Sequence, residues 1–144
     1  MAIDRLLDLK HDLEDSDSSY AEILLQTNQE TSIRKFIGKW LRDHAAGRYV
    51  VPQEEQLADG KRPDYRFQNS QYYAPVPVEL KLSQNWSGPG HFERLENQLC
   101  GDYLRDISSS CGIFLVVIHG GQATWETPTK GRVGFNDLVI ALQE

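Results

Sequence analysis

Apolar residues near the start of the chain, Ile3, Leu6, Leu7, Leu9 and Leu13, recur mostly at three- and four-residue steps among Asp, Arg, Lys and Glu. That spacing predicts an amphipathic helix over residues 2–14. Asp15-Ser16-Asp17-Ser18-Ser19 then breaks the stripe with turn and cap formers, so residues 1–19 read as an N-terminal helix and linker and 20–144 as the main domain. From Tyr20 to Ala46 the period is helical again. It is clearest where Ile33, Phe36, Ile37, Trp40 and Leu41 share a face while Arg34, Lys35, Lys39 and Arg42 fall mostly elsewhere, with Gly47 as a C-cap. Glu30, three residues before Ile33, falls on or beside the apolar stripe.

Beyond Gly47 the pattern changes to strand-like runs at Tyr49–Leu57, Arg62–Gln68 and Pro75–Leu82, separated by Ala58-Asp59-Gly60-Lys61 and Asn69-Ser70-Gln71. An antiparallel meander follows. Pro77 puts the beginning of the third run at an edge or a bulge, and the alternation of Val78, Leu80 and Leu82 with Glu79 and Lys81 sends those two charges to one face. Gly88-Pro89-Gly90 reads as a loop, and Phe92, Leu95, Leu99 and Tyr103 as a helix ending near Arg105. The unbroken apolar run Gly112–Ile118 predicts a strand buried on both faces at the sheet centre. A polar stretch with Gly120, Gly121, Pro128 and Gly131 leads to a closing helix over Asn136–Leu142. The order predicts an α/β fold: a mixed four-stranded sheet flanked by helices.

Composition narrows the class. At 144 residues and 40% hydrophobic content the chain suits one globular domain. No apolar run approaches the roughly 20 residues that span a bilayer, and the N-terminus lacks a signal-peptide pattern, so a cytoplasmic protein without a membrane role is expected. Cys100 and Cys111 have no Cys or His partner at metal-ligand spacing and read as buried, reduced thiols. His11, His44, His91 and His119 are scattered and read as surface or loop residues. The net charge of -6 speaks against a protein that coats nucleic acid electrostatically, but not against one whose carboxylates hold cations at a phosphate.

The candidate chemistry lies in the meander. Asp64 on one strand, with Glu79 and Lys81 at the end of the next, brings two carboxylates and an ammonium together, a set suited to holding a hard divalent ion and hydrolysing a phosphodiester. The strings Arg62-Pro63-Asp64 and Val78-Glu79-Leu80-Lys81, in the order helix, three strands, helix, strand from Gln29 to about Ile118, resemble the PD-(D/E)XK nuclease superfamily. That family includes restriction endonucleases, RecB-like exonucleases and Holliday-junction resolvases. The resemblance implies a restriction-endonuclease-like core, a Mg²⁺ cofactor with Mn²⁺ as substitute, and DNA as the substrate. Asp64, Glu79, the Leu80 carbonyl and Glu30 would be metal ligands, Glu22 being a second choice for Glu30, with Lys81 and Gln98 as further catalytic residues. Gln98 and Tyr103 are one residue further apart than the QxxxY of RecB-like members. The resemblance also implies a role in defence, restriction or repair, and a homodimer or a larger multidomain assembly.

Each residue has a plainer reading. Lys81 would form an ordinary cross-strand ion pair with Asp64 or Glu79, Glu30 would serve the helix dipole, and Gln98 would tie down a backbone group. Trp86, in the loop after the candidate strand, would stack on a base or anchor that loop. Lys61, Arg62, Arg66 and Arg94 would contact phosphates or form a solvated face. Two whole-chain alternatives remain: an inactive nuclease-fold module that binds nucleic acid or protein, and a small interaction domain dimerising through its 2–14 helix.

Overall fold

The structure, a computed structural model of the chain, describes residues 1–15, 22, 24, 26, 29–52, 63–69, 71–103, 111–118 and 123–144, with the backbone alone at 72–74 and 102–103. Helices α1 (Ala2–Glu14) and α2 (Glu30–Asp43) are followed by strands β1 (Tyr65–Asn69) and β2 (Tyr72–Leu82). A short 3₁₀ turn, Ser83–Asn85, leads to helix α3, which is α-helical over Gly88–Glu93 and continues as a π-helix over Arg94–Tyr103. Strand β3 (Ile113–Val117), the hairpin β4 (Trp125–Thr127) and β5 (Gly131–Val133), and helix α4 (Phe135–Gln143) complete the chain. The helix expected over 2–14 is present with those bounds, and the one expected over 136–142 is longer by one residue at each end.

The fold is mixed α/β, but among the described residues the main sheet has three strands, in the order β1-β2-β3, beside the separate β4-β5 hairpin. The expected four-stranded sheet is therefore corrected. Of the first expected strand, Tyr49–Leu57, only residues up to Pro52 are described, and they make a single bridge: Val50 and Gln68 exchange backbone hydrogen bonds of 2.7 and 2.9 Å. Pro52, two residues after Val50, has no N–H with which to extend a ladder.

β2 is the central strand. It runs antiparallel to β1, with Tyr65 opposite Val78, and parallel to β3, with Val78 opposite Ile113 and Leu82 opposite Val117. Pro75 and Pro77 fit inside β2 because they precede the first paired rung with β3 and, being odd-numbered, aim their missing N–H toward that side. β3, expected at the centre, occupies an edge and is only half-buried throughout. Its apolar run reflects a strand with one paired neighbour and two partly covered faces, which periodicity does not separate from a central strand.

Val78, Leu80 and Leu82 are all 0% exposed and pack under α2 through Ile33, Ile37 and Leu41, with Leu9 of α1 in the same core. Burying side chains of this kind contributes roughly 1.5–3 kcal/mol each. Two hydroxyls fix α2 over the sheet: Tyr65 donates to the Arg34 carbonyl and Tyr49 to the Leu41 carbonyl, both at 2.7 Å. Gly38 permits the close approach, since a β carbon there would lie 3.2 Å from the Tyr65 ring. α2 ends at Asp43, with the left-handed residues Ala46 and Gly47 in the turn after it.

The segment Gly88-Pro89-Gly90, expected as a loop, is the first turn of α3. The Ser87 hydroxyl accepts from Gly90 N at 3.1 Å, and the proline stands where the helix needs no N–H. Gly88 has a further reason to be glycine, because a β carbon there would collide with the Glu126 carbonyl of the hairpin. Trp125 of that hairpin is 1% exposed and its indole donates to the Ser83 carbonyl at 3.0 Å, tying the hairpin to the end of β2. Both cysteines are exposed and free, contrary to expectation: Cys100 follows the buried Leu99 on the outer side of α3, and Cys111 precedes β3. Among the described residues no helix is long and apolar enough to cross a membrane.

Candidate active site at the end of β2

Asp64 and Glu30 meet the backbone of β2 where β1 stops and β2 continues. The register that pairs Tyr65 with Val78 brings Asp64, just before β1, level with Glu79. On an extended strand one residue's N–H and C=O face the same edge, so Leu80 and Leu82 present theirs to the edge that β1 has vacated. Two carboxylates occupy it. Asp64 Oδ2 accepts from Leu80 N at 2.7 Å, and Glu30 Oε2, reaching over from the first turn of α2, accepts from Leu82 N at 3.2 Å. The Leu80 carbonyl lies on the same edge between these two N–H groups. Asp64 Oδ1 also accepts from Arg34 Nη1 at 2.9 Å, so α2 supplies both a carboxylate and a guanidinium to this end of the sheet.

Glu79 and Lys81 are buried, 2% and 6% exposed, with Lys81 Nζ 2.5 Å from Glu79 Oε1. The alternation of β2 explains why both point to the same face. What covers them is α3 and the loop before it. Lys81 Nζ stands 5.3 Å from the centre of the Trp86 ring, and the Arg94 guanidinium carbon stands 4.7 Å from the same centre. Gln98 is half-buried on the π-helical part of α3, which packs against β2. Tyr103 belongs to that helix by its backbone, and its side chain lies outside what is described, as do Lys61, Arg62 and His119. Glu22 is exposed, as is Arg66.

His91, read from the sequence as a surface or loop residue, is fully buried. The reason is that α3 begins earlier than expected, which turns position 91 inward. Its Nε2 lies 3.4 Å from the Ser83 carbonyl, its ring meets Phe114 edge-on, and its Nδ1 has no hydrogen-bond partner among the described residues. Burial pushes the imidazole below its ordinary pKa; the Ser83 carbonyl opposes this, the Lys81 ammonium adds to it and the Glu30 carboxylate opposes it. The folded chain therefore holds fewer protons at His91 than the unfolded chain does between the lowered value and the ordinary one of about 6.5. The resulting stability is present above pH 6.5 and lost as pH falls through that window. In metal-free urea titrations between pH 7.5 and 5, His91→Gln is expected to flatten the decline by up to about 1.4 kcal/mol per pH unit, the limit for one proton. Identical slopes in the two proteins would refute this assignment.

The donor set bears on a metal. Among the described residues no three His, Cys, Asp or Glu side chains form a group placed to hold an ion. A Mg²⁺ site, however, commonly uses one or two carboxylates, with water completing the shell. Asp64, Glu79 and the Leu80 carbonyl offer hard oxygens of the type such an ion takes near one strand end, with Glu30 next along the edge. No protein-family model matches the chain, and no curated protein or solved structure matches it.

Proposed function

We propose that this chain is a metal-dependent nuclease of the PD-(D/E)XK type, with a restriction-endonuclease-like core, hydrolysing phosphodiester bonds in DNA. The observation that supports this most is the buried Glu79–Lys81 pair beside an edge whose free N–H groups are capped by Asp64 and Glu30. A buried ion pair is commonly no more stabilising than apolar residues of similar volume, so folding alone gives little reason to keep it. A phosphodiester-cleaving centre does. A divalent ion at Asp64 and Glu79 would supply charge at the phosphate and a more acidic bound water. Lys81, its ammonium fixed between Glu79 and the Trp86 ring, would stabilise negative charge as it develops on the phosphate oxygens. Arg34 and Leu80 N hold the Asp64 carboxylate in one orientation, and Gln98 lies half-buried on the neighbouring helix α3. A role in defence, restriction or repair belongs to this proposal through the family resemblance alone.

The second reading is an inactive nuclease-fold module that binds nucleic acid or protein. It is favoured by the engagement of both Asp64 oxygens, by Arg34 and by Leu80 N, a structural task that would keep Asp64 in place without catalysis. Incubation with linear and circular DNA, single- and double-stranded, in Mg²⁺, Mn²⁺ or EDTA separates the two, alongside calorimetric titration with Mg²⁺. Cutting that needs metal, and that Glu79→Gln abolishes while the variant stays folded by circular dichroism, is the expected result. Neither cutting nor Mg²⁺ binding by the folded wild type would leave the inactive module.

A further inference from the structure

We infer that Trp86 and Arg94 form a seat for a backbone phosphate of a nucleic acid, next to the end of β2 that carries Glu79 and Lys81. The inference rests on the nucleic-acid reading above and adds a binding position to it. Arg94 is half-buried and lies flanked in sequence by Glu93 and Glu96, yet both carboxylates stay exposed and Arg94 forms no ion pair among the described residues. Its guanidinium lies instead over the Trp86 ring. An arginine withdrawn from water without a counter-charge is costly, and stacking on an indole offsets only part of that cost.

Hydrogen bonding makes the same point. Arg94 Nε and Trp86 Nε1 are both sealed from solvent with no acceptor among the described residues, two orphan donors from one stack. A buried N–H left unsatisfied costs about 1–3 kcal/mol, and with both atoms closed off it is the rest of the half-buried Arg94 side chain that an acceptor can reach. The ring itself is held in place, since it lies against the first turn of α3, where a β carbon at Gly90 would stand 3.5 Å from its edge. Lys81, on the same ring, has its charge matched by Glu79; Arg94 has no such match among the described residues. The occupant is thus anionic and rich in oxygen acceptors. A phosphate meets both requirements, and a guanidinium fork binds it in two places at once. A site one indole away from the proposed centre fits the phosphate of a neighbouring nucleotide on the strand being cut.

The test is binding of a fluorescein-labelled oligonucleotide, single-stranded and duplex, by anisotropy in EDTA over a series of KCl concentrations, with inorganic phosphate as competitor. Losing one phosphate contact reduces the slope of log K against log salt by roughly 0.7 for single strands and 0.9 for duplex. Arg94→Gln is expected to show that reduction, and Arg94→Lys, which keeps the charge, to keep the slope while binding less tightly. An unchanged slope in a folded Arg94→Gln overturns the seat even if the wild type cuts DNA. A reduced slope in a protein that cuts nothing with Mg²⁺ upholds the seat and removes the nuclease. Capture of inorganic phosphate by the wild type without any oligonucleotide binding overturns the assignment to nucleic acid.

Discussion

Lys81→Met is expected to lower the unfolding free energy by about 3–5 kcal/mol in metal-free buffer, the usual cost of leaving one partner of a buried ion pair behind. Methionine retains the length of the lysine stem and makes a favourable sulfur contact with an aromatic ring, so packing against Trp86 is largely preserved. What is lost is the charge facing Glu79, a carboxylate only 2% exposed. Because solvent hardly reaches either group, screening does little to reduce the penalty. Combining Glu79→Leu with Lys81→Met should restore or exceed wild-type stability, since apolar replacement of both partners removes two desolvation costs together. Urea titrations of the four proteins of this cycle measure the coupling directly. A Lys81→Met protein within about 1 kcal/mol of the wild type would mean that Glu79 is supported mainly by other neighbours.

This pair was legible in the sequence because a period of two is unambiguous: with Val78, Leu80 and Leu82 committed to the core, Glu79 and Lys81 had one face left to occupy. The same holds for Glu30, whose offset from Ile33 and Ile37 placed it at the start of the buried stripe of α2 and so within reach of Leu82 N. Where two explanations share one pattern, sequence reading went astray. The run Ile113–Val117 has the composition of a central strand, yet its place at the edge depends on which neighbours pair with it, a tertiary fact. Gly88-Pro89-Gly90 looks like a loop unless Ser87 is taken as a cap, when the same proline becomes a helix-starting residue; missing that cap also hid the burial of His91. The hairpin was overlooked within a polar stretch. Its signal was the alternation of Trp125 and Thr127, both buried, about the exposed Glu126, followed by Pro128 and by Gly131, whose φ of 69° closes the turn. Arg34 carried no signal at all, because a basic residue on the polar side of α2 looks solvated until β1 delivers Asp64 beside it.

The larger functional effect is expected from the same lysine under turnover. On the proposed nuclease reading, Lys81→Met should reduce Mg²⁺-dependent cutting by about 10²–10³-fold, the cost of removing one preorganised charge from the transition state, mostly in kcat and with little change in KM. Its metal affinity should move the opposite way. Lys81 Nζ sits 2.5 Å from Glu79 Oε1, so any cation approaching that oxygen competes with the ammonium. Removing the ammonium frees the carboxylate, and Mg²⁺ should then bind more tightly by calorimetry and stabilise Lys81→Met more than it stabilises the wild type. Asp64→Asn gives the complementary pattern: the amide still reaches Arg34 or Leu80 N only in part and offers a neutral oxygen to the ion, so binding and cutting should fall together. Opposite signs for affinity and rate at Lys81, against the same sign at Asp64, are difficult to obtain from general unfolding, which lowers both at either position. If Lys81→Met binds Mg²⁺ more weakly than the wild type and also keeps its cutting rate, then Lys81 neither competes at Glu79 nor acts on the phosphate, and the pair is a structural ion pair of β2.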